Sequence, residues 1–220
     1  DNIKAIIFDV DGTLYTGGLA RHLILGDIRR CMWALRERQT RKDMKSHDYL
    51  TAENFYNEFF KTLSVKTGKD VEVLKEWYFN RYMPLMATQI GKHCKVRSHL
   101  NETLQTLKQK GICLLVYSDY TLAKEKIESL GVDSSLFKKF YCAEEFGALK
   151  PQTRPFAQIC NENGLECRET LMVGDKVESD GGAISAGLPF VCIDGKNCKD
   201  ADRSIYDIVS WNDFVDICKR

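Results

Sequence analysis

Two aspartates one residue apart, Asp9 and Asp11, close the apolar run Ala5-Ile6-Ile7-Phe8 and lead into Gly12-Thr13-Leu14. Ionised carboxylates this close repel each other, and a divalent cation is the usual relief. The pair suggests a metal site and a carboxylate nucleophile, although two such residues can also simply cap a turn. Further on, Ser118-Asp119 follows the run Cys113-Leu114-Leu115-Val116-Tyr117. Lys150-Pro151 comes a loop after Phe140-Tyr141-Cys142-Ala143, and Gly174-Asp175 ends Thr170-Leu171-Met172-Val173, with Asp180 just beyond. Taken singly, Ser118 reads as a helix cap, Lys150 as an exposed loop lysine, and Asp175 and Asp180 as caps of the next helix. Their joint order decides against those readings, because each follows a successive strand-like run. In a parallel sheet the strand ends share one edge, so a hydroxyl, a lysine and four carboxylates converge there. That set can bind a divalent metal and a phosphate together.

The elements needed to hold these residues are legible from periodicity. Ile6, Ile7 and Phe8 read as a strand buried on both faces. From Ser98 the chain alternates. Leu100, Leu104 and Leu107 mark a helix stopped by Gly111, and Ile112 to Tyr117 form a strand. A helix from about 121 to 130 follows, then a strand at 140–143, a helix after Pro155, and a strand at 170–174. A helix at 180–186, a strand at 190–193 and an edge piece at Ile208-Val209 complete the series. This βαβα order predicts an α/β fold with a doubly wound parallel sheet.

Residues 16–92 interrupt the pattern with helical spacing: Leu23, Ile28, Met32 and Leu35; then Phe55, Phe59 and Leu63 behind a Thr51 cap; then Leu74, Trp77 and Tyr78 behind Asp70. Pro84 is expected to end that region. The chain therefore divides into a core of 1–15 and 93–220 and an inserted α-helical cap of 16–92, with Gly17 and Gly18 as hinge positions.

Composition sets the outer limits. The 220 residues are 44% hydrophobic and 29% charged, ordinary globular values, with net charge +1 that gives no sign of nucleic-acid binding. No segment reaches the roughly 18 apolar residues that span a membrane. Nine cysteines without a Cys-x-x-Cys pair read as reduced thiols in a cytoplasmic protein. Residues 15–95 hold 15 Lys and Arg against 9 Asp and Glu, so this segment is +6 and the remainder −5. A basic insertion facing an acidic edge suits an anionic substrate. Arg21, Arg29, Arg30 and Arg36 lie close together in the first inserted helix and are the set from which some are expected to reach it, and His22 lies shortly after the first motif.

The series Asp9-Val10-Asp11-Gly12-Thr13, Ser118, Lys150-Pro151 and Gly174-Asp175 with Asp180 resembles the haloacid dehalogenase-like hydrolase superfamily, whose members are mostly magnesium-dependent phosphatases. Gly181-Gly182-Ala183-Ile184-Ser185-Ala186-Gly187 is also similar to the helix that follows the family's fourth motif. The match covers 3–15 and 96–195, and the position of the insertion resembles the helical cap of subfamily I.

The resemblance implies Asp9 as nucleophile, Asp11 as general acid/base and Lys150 as the charge-neutralising residue. It implies Gly12, Thr13, Ser118, Asp119 and Lys150 as substrate-binding. Mg²⁺ would be held by Asp9, the Asp11 carbonyl and Asp175, with Asp180 behind them. Because dehalogenating members typically lack a carboxylate at the Asp11 position, the resemblance favours a phosphatase of a small phosphorylated metabolite, monomeric or homodimeric, independent of nucleic acid and membrane. A phosphomutase, with His22 as the thin candidate for an extra acid/base, and a non-catalytic phospholigand-binding protein stay open as alternatives.

Overall fold

The computed structural model describes residues 3–194 and 206–219. Six parallel strands form the central sheet in the order β5-β4-β1-β6-β7-β8. They are β1 (Ala5–Phe8), β4 (Cys113–Ser118), β5 (Lys139–Cys142), β6 (Thr170–Gly174), β7 (Phe190–Ile193) and β8 (Asp207–Val209). Phe8 lies in register with Val116 on one side and Val173 on the other, so β1 is the central strand. A strand flanked on both sides and covered on both faces has no solvated surface, which is why Ala5, Ile6, Ile7 and Phe8 are all apolar and buried.

Helices α6 (Leu100–Gln109), α7 (Ala123–Ser129), α8 (Ala143–Phe146), α9 (Thr153–Glu162), α10 (Val177–Asp180), α11 (Gly182–Ser185) and α12 (Trp211–Lys219) connect or cover the strands. The single helix expected at 180–186 is two short ones meeting at Gly181.

The cap comprises α1 (Ala20–Gly26), α2 (Cys31–Met44), α3 (Ala52–Thr67), α4 (Val71–Trp77) and α5 (Met83–His93). As expected, Thr51 and Asp70 cap α3 and α4 through their side chains. Two expectations fail here. The stripe Leu23, Ile28, Met32, Leu35 does not face the core: Ile28 is 65% exposed, Met32 54% and Leu35 46%. The chain breaks at Asp27 (φ −145°) and passes through a 3₁₀ turn, Ile28–Arg30, before α2, so the helical phase is reset between Leu23 and the rest. The buried side of α2 is instead Glu37, Thr40, Arg41 and Met44. Pro84 does not terminate the region either. The chain runs from α4 through a π-helical turn, Tyr78–Tyr82, into α5, where Pro84 stands in the first turn.

The chain passes between cap and core through β2 (Tyr15–Thr16) and β3 (Lys95–Val96), which pair antiparallel as a short ribbon beside Gly17. Seven cysteines among the described residues are free, but Cys192 is disulfide-bonded, so the reading of every cysteine as a reduced thiol is corrected there. Among the described residues no helix is long and apolar enough to cross a membrane.

Candidate active site

Asp9 stands just beyond β1, and its carboxylate is held from two directions. Thr13 donates its hydroxyl to Oδ2 at 3.0 Å, and Lys150 donates Nζ to Oδ1 at 2.6 Å. The same ammonium reaches Asp180 Oδ1 at 2.7 Å and the Tyr117 carbonyl at 3.3 Å. Lys150 is only 2% exposed, so these oxygens replace water as its solvation shell. Burial alone would depress its ammonium, but Asp180, Asp9 and Asp119 hold it well above the ordinary lysine range.

Asp9, Asp175 and Asp180 each bring a carboxylate oxygen within 4.8 Å of the others. Burial pushes Asp9 up to about 6; Lys150 opposes the rise, while Asp180 and Asp11 add to it. Burial likewise pushes Asp175 to about 6, with Asp9 contributing, and Asp180 is raised by burial. The cluster therefore carries more negative charge than Lys150 compensates. An all-oxygen donor set with that surplus fits a hard divalent cation. Asp180 is already engaged at both oxygens, by Lys150 and by the Lys176 N–H at 3.1 Å, which leaves Asp9 and Asp175 as the more available donors.

The loop after β1 depends on Gly12. Its φ is +99°, and a Cβ there would lie 2.4 Å from Asp175 Oδ2. Arg97 fixes the same loop by donating to the carbonyls of Gly12 at 2.9 Å and Thr13 at 3.1 Å while pairing with Asp194 at 2.5 Å.

Asp11 is set apart from the cluster. Its carboxylate accepts the Tyr15 hydroxyl and the Lys126 ammonium, the latter at 2.9 and 3.1 Å. Burial would raise it, but Lys126 and the Tyr15 hydrogen bond outweigh burial and keep it below the usual carboxylate range.

Asp9, Asp11, Asp119, Lys150, Asp175 and Lys176 share one cleft of about 850 Å³ between sheet edge and cap. Ser118 lies buried beside it, its oxygen accepting the Tyr120 N–H at 3.2 Å. Thr13 is also buried, with its hydroxyl committed to Asp9. The cap side of the cleft carries Arg38, Arg41, Lys42 and Lys45. Arg21, Arg29, Arg30 and Arg36 are not among the cleft residues; Arg29 and Arg30 line a separate surface pocket with Arg81. His22 does not line the cleft either, and stacks on His93 with ring centroids 3.7 Å apart.

Sequence reasoning missed Lys126, Tyr15, Arg97 and Arg41. Lys126 sits in Lys124-Glu125-Lys126, which reads as a solvated helix face; it is buried because α5 packs on α7, with the Ser129 hydroxyl donating to the Ala87 carbonyl at 3.1 Å. No local signal marks a lysine buried by a remote helix.

The chain is similar to known proteins over most of its length. Residues 3–187 match the haloacid dehalogenase-like hydrolase family. The chain is 30% identical to a glyceraldehyde 3-phosphate phosphatase of Methanocaldococcus jannaschii, over 99% of this chain and 98% of that one. It is 27% identical to a ribulose-1,5-bisphosphate 5-phosphatase of Halopiger xanaduensis, over 91% and 88% of the two chains. Among solved structures, a putative HAD-hydrolase from Bacillus subtilis bound to magnesium superposes with a TM-score of 0.68 at 16% identity, over 100% of both chains. A 2-haloacid dehalogenase from Pseudomonas syringae gives 0.65 at 19% identity, over 98% of both.

Proposed function

The chain belongs to the haloacid dehalogenase-like hydrolase family, and we propose that within it this protein is a Mg²⁺-dependent phosphatase of a small phosphorylated metabolite. The observation that carries the reading is the pair of carboxylates with different partners on one cleft: Asp9 held by Thr13 and Lys150, Asp11 held by Lys126 and Tyr15. A dehalogenase needs one carboxylate there; phosphate ester hydrolysis uses both.

In the proposed reaction an Asp9 oxygen attacks phosphorus, and the bond to the leaving oxygen breaks. Asp11, having left Lys126 and taken up a proton from solvent, gives that proton to the leaving oxygen. The product is an alcohol and an aspartyl-phosphate on Asp9. Asp11, now a carboxylate, takes a proton from the attacking water, and inorganic phosphate leaves with Asp9 restored. Lys150 stays protonated beside Asp9 and offsets the charge that gathers there. The Ser118 hydroxyl, whose oxygen already accepts from Tyr120, has its hydrogen available for a phosphoryl oxygen. Asp9, Asp175 and the Asp11 carbonyl would hold Mg²⁺, with Asp180 behind them, and the ion would lower the repulsion between carboxylate and phosphate.

The cap supports an anionic substrate. Arg41 and Lys45 are already paired, but the Arg38 and Lys42 side chains have no hydrogen-bond or ion-pair partner among the described residues. The relatives named above act on a triose phosphate and a sugar bisphosphate, so both kinds belong in the test. His22, packed on His93, offers no support to the phosphomutase alternative.

The test is phosphate release by purified protein with Mg²⁺ across glyceraldehyde 3-phosphate, phosphoglycolate, sugar phosphates and nucleoside monophosphates. Turnover of at least one ester is expected, and Asp9→Asn should abolish it with the circular dichroism spectrum unchanged. No release from any ester would favour the non-catalytic ligand-binding alternative, and isomerised sugar phosphate without free phosphate would favour the mutase.

A further inference from the structure

Arg41 comes from the cap, yet its whole guanidinium is committed inside the protein. Nε donates to Glu37 Oε1 at 2.9 Å. Nη2 donates to the Tyr78 hydroxyl at 2.7 Å and to the Glu144 carboxylate, which belongs to α8 of the core. Glu144 also accepts the hydroxyls of Tyr78 at 2.5 Å and Tyr56 at 2.6 Å. The remaining nitrogen, Nη1, donates to the backbone carbonyl of Asp119 at 3.0 Å, and the guanidinium lies 4.1 Å from the centre of the Tyr120 ring. Arg41, Glu37, Glu144 and Tyr78 are all buried.

The Asp119 carbonyl belongs to the same rigid peptide plane as the Tyr120 N–H, and the two point in opposite directions. Holding the carbonyl therefore aims the N–H, and that N–H is the donor to Ser118 Oγ at 3.2 Å. Arg41 thus reaches Ser118 through one peptide unit. With Ser118 Oγ occupied as an acceptor, its own O–H hydrogen is left to be donated. A second cap residue supports the loop: Lys45 Nζ lies 3.4 Å from Asp119 Oδ2, while Oδ1 of the same side chain takes the Lys150 N–H at 2.9 Å. The loop after β4 is consequently gripped by α2 and its C-terminal neighbour from above and by the Lys150 backbone from the side.

We propose that Arg41 is a positioning residue: seated on Glu144, it sets the Ser118–Tyr120 loop from the cap, so the phosphate-gripping hydroxyl is aligned only while α2 rests on the core. This rests on the phosphatase reading for its catalytic consequence. The buried carboxylates give Arg41 its direction; Glu37 and Glu144 fix two edges of the planar guanidinium and leave the third aimed at Asp119. Seating of the cap and readiness of the phosphate loop become one event.

The test separates positioning from support of the fold. Arg41→Met alone leaves two carboxylates buried without their cation, so it is combined with Glu37→Gln and Glu144→Gln to remove the charges together. The triple variant is expected to melt within a few degrees of the parent, yet to lose about tenfold in kcat on p-nitrophenyl phosphate and to bind inorganic phosphate about tenfold more weakly. Introduced into Ser118→Ala, the three changes should add little further loss, because both act through the same hydroxyl. Arg41→Lys provides the variant that keeps the charge beside Glu144 but cannot span to Asp119; it should fold and show the same weakened phosphate binding. Parental kcat and phosphate affinity in the folded variants, or a loss fully additive with Ser118→Ala, would overturn the proposal. If the parent protein turned over no ester, the phosphatase reading would fail separately. Calorimetric binding of inorganic phosphate would still report on Arg41.

Discussion

Asp9 and Asp11 lie in the same short turn, but their surroundings push them in opposite directions. Asp9 is raised to about 6 by burial and neighbouring carboxylates, while Lys126 and Tyr15 hold Asp11 low. In the proposed reaction these positions must reverse, with a cation beside Asp9 favouring its carboxylate and separation from Lys126 letting Asp11 take a proton. The upward shifts have a consequence for stability. Asp9 and Asp175 bind protons more tightly in the folded protein, at about 6, than in an unfolded chain, at about 3.9. Their contribution is complete below the unfolded value and is lost as pH rises through about 6. A divalent ion bound there would take the place of those protons. Added Mg²⁺ should therefore raise Tm more near about pH 7.5 than near about pH 5. Equal shifts in a fluorimetric melt at both pH values would count against a carboxylate site.

Gly12 provides a geometric check on the same cluster. In Gly12→Ala the new methyl meets the Asp175 carboxylate, and φ of +99° is strained for any L side chain. The variant should lose about 1–3 kcal/mol in urea unfolding. It should also bind Mg²⁺ several-fold more weakly, and unchanged Mg²⁺ titration would show that Asp175 can move aside without cost.

At the scale of elements, the cap is anchored to the core by backbone as well as by charge. The Tyr49 N–H donates to the Gly147 carbonyl at 2.8 Å, and Arg154 binds both oxygens of Asp48 at 2.7 and 2.8 Å. Gly147 has φ of +72°, and a Cβ there would lie 2.3 Å from the Thr51 carbonyl oxygen, a backbone atom that no rotamer change removes. Gly147→Ala should cost about 3 kcal/mol by chemical denaturation, more than Gly12→Ala, because this neighbour cannot swing away. A loss below about 1 kcal/mol would mean that the junction is compliant. The sheet was legible in the sequence because a central parallel strand must be apolar on both faces, as Ile6, Ile7, Met172 and Val173 are. The cap was less so. Ile28, Met32 and Leu35 keep helical spacing, but the break at Asp27 turns them outward, and two-residue strands such as Tyr15–Thr16 leave no periodic trace. The carboxylates of the site could be read because each follows a strand. Lys126 and Arg41 could not, since charge in a sequence signals solvent and only packing between remote elements puts them inside.

Over the whole molecule the charge is divided: the segment 15–95 carries +6 and the remainder −5, for a total of +1. The division runs along the cleft, with Arg38, Arg41, Lys42 and Lys45 on one side and Asp9, Asp11, Asp175 and Glu178 on the other. An acidic floor would repel a phosphate ester unless a cation and a basic roof reversed the local field. Arg41 contributes little to that field, because Glu37 and Glu144 neutralise it. Lys45 is partly spent on Asp119, so the attraction at a distance falls to Arg38 and Lys42. Such attraction between exposed charges is screened within about 10 Å at about 0.1 M salt. Raising ionic strength from about 0.02 to about 0.3 M at saturating Mg²⁺ should thus lower kcat/KM several-fold, mainly through KM. In Arg38→Ala combined with Lys42→Ala, kcat/KM should start lower and respond less to salt, while kcat changes little. A double variant with the parental salt slope would place the steering charge elsewhere in the molecule.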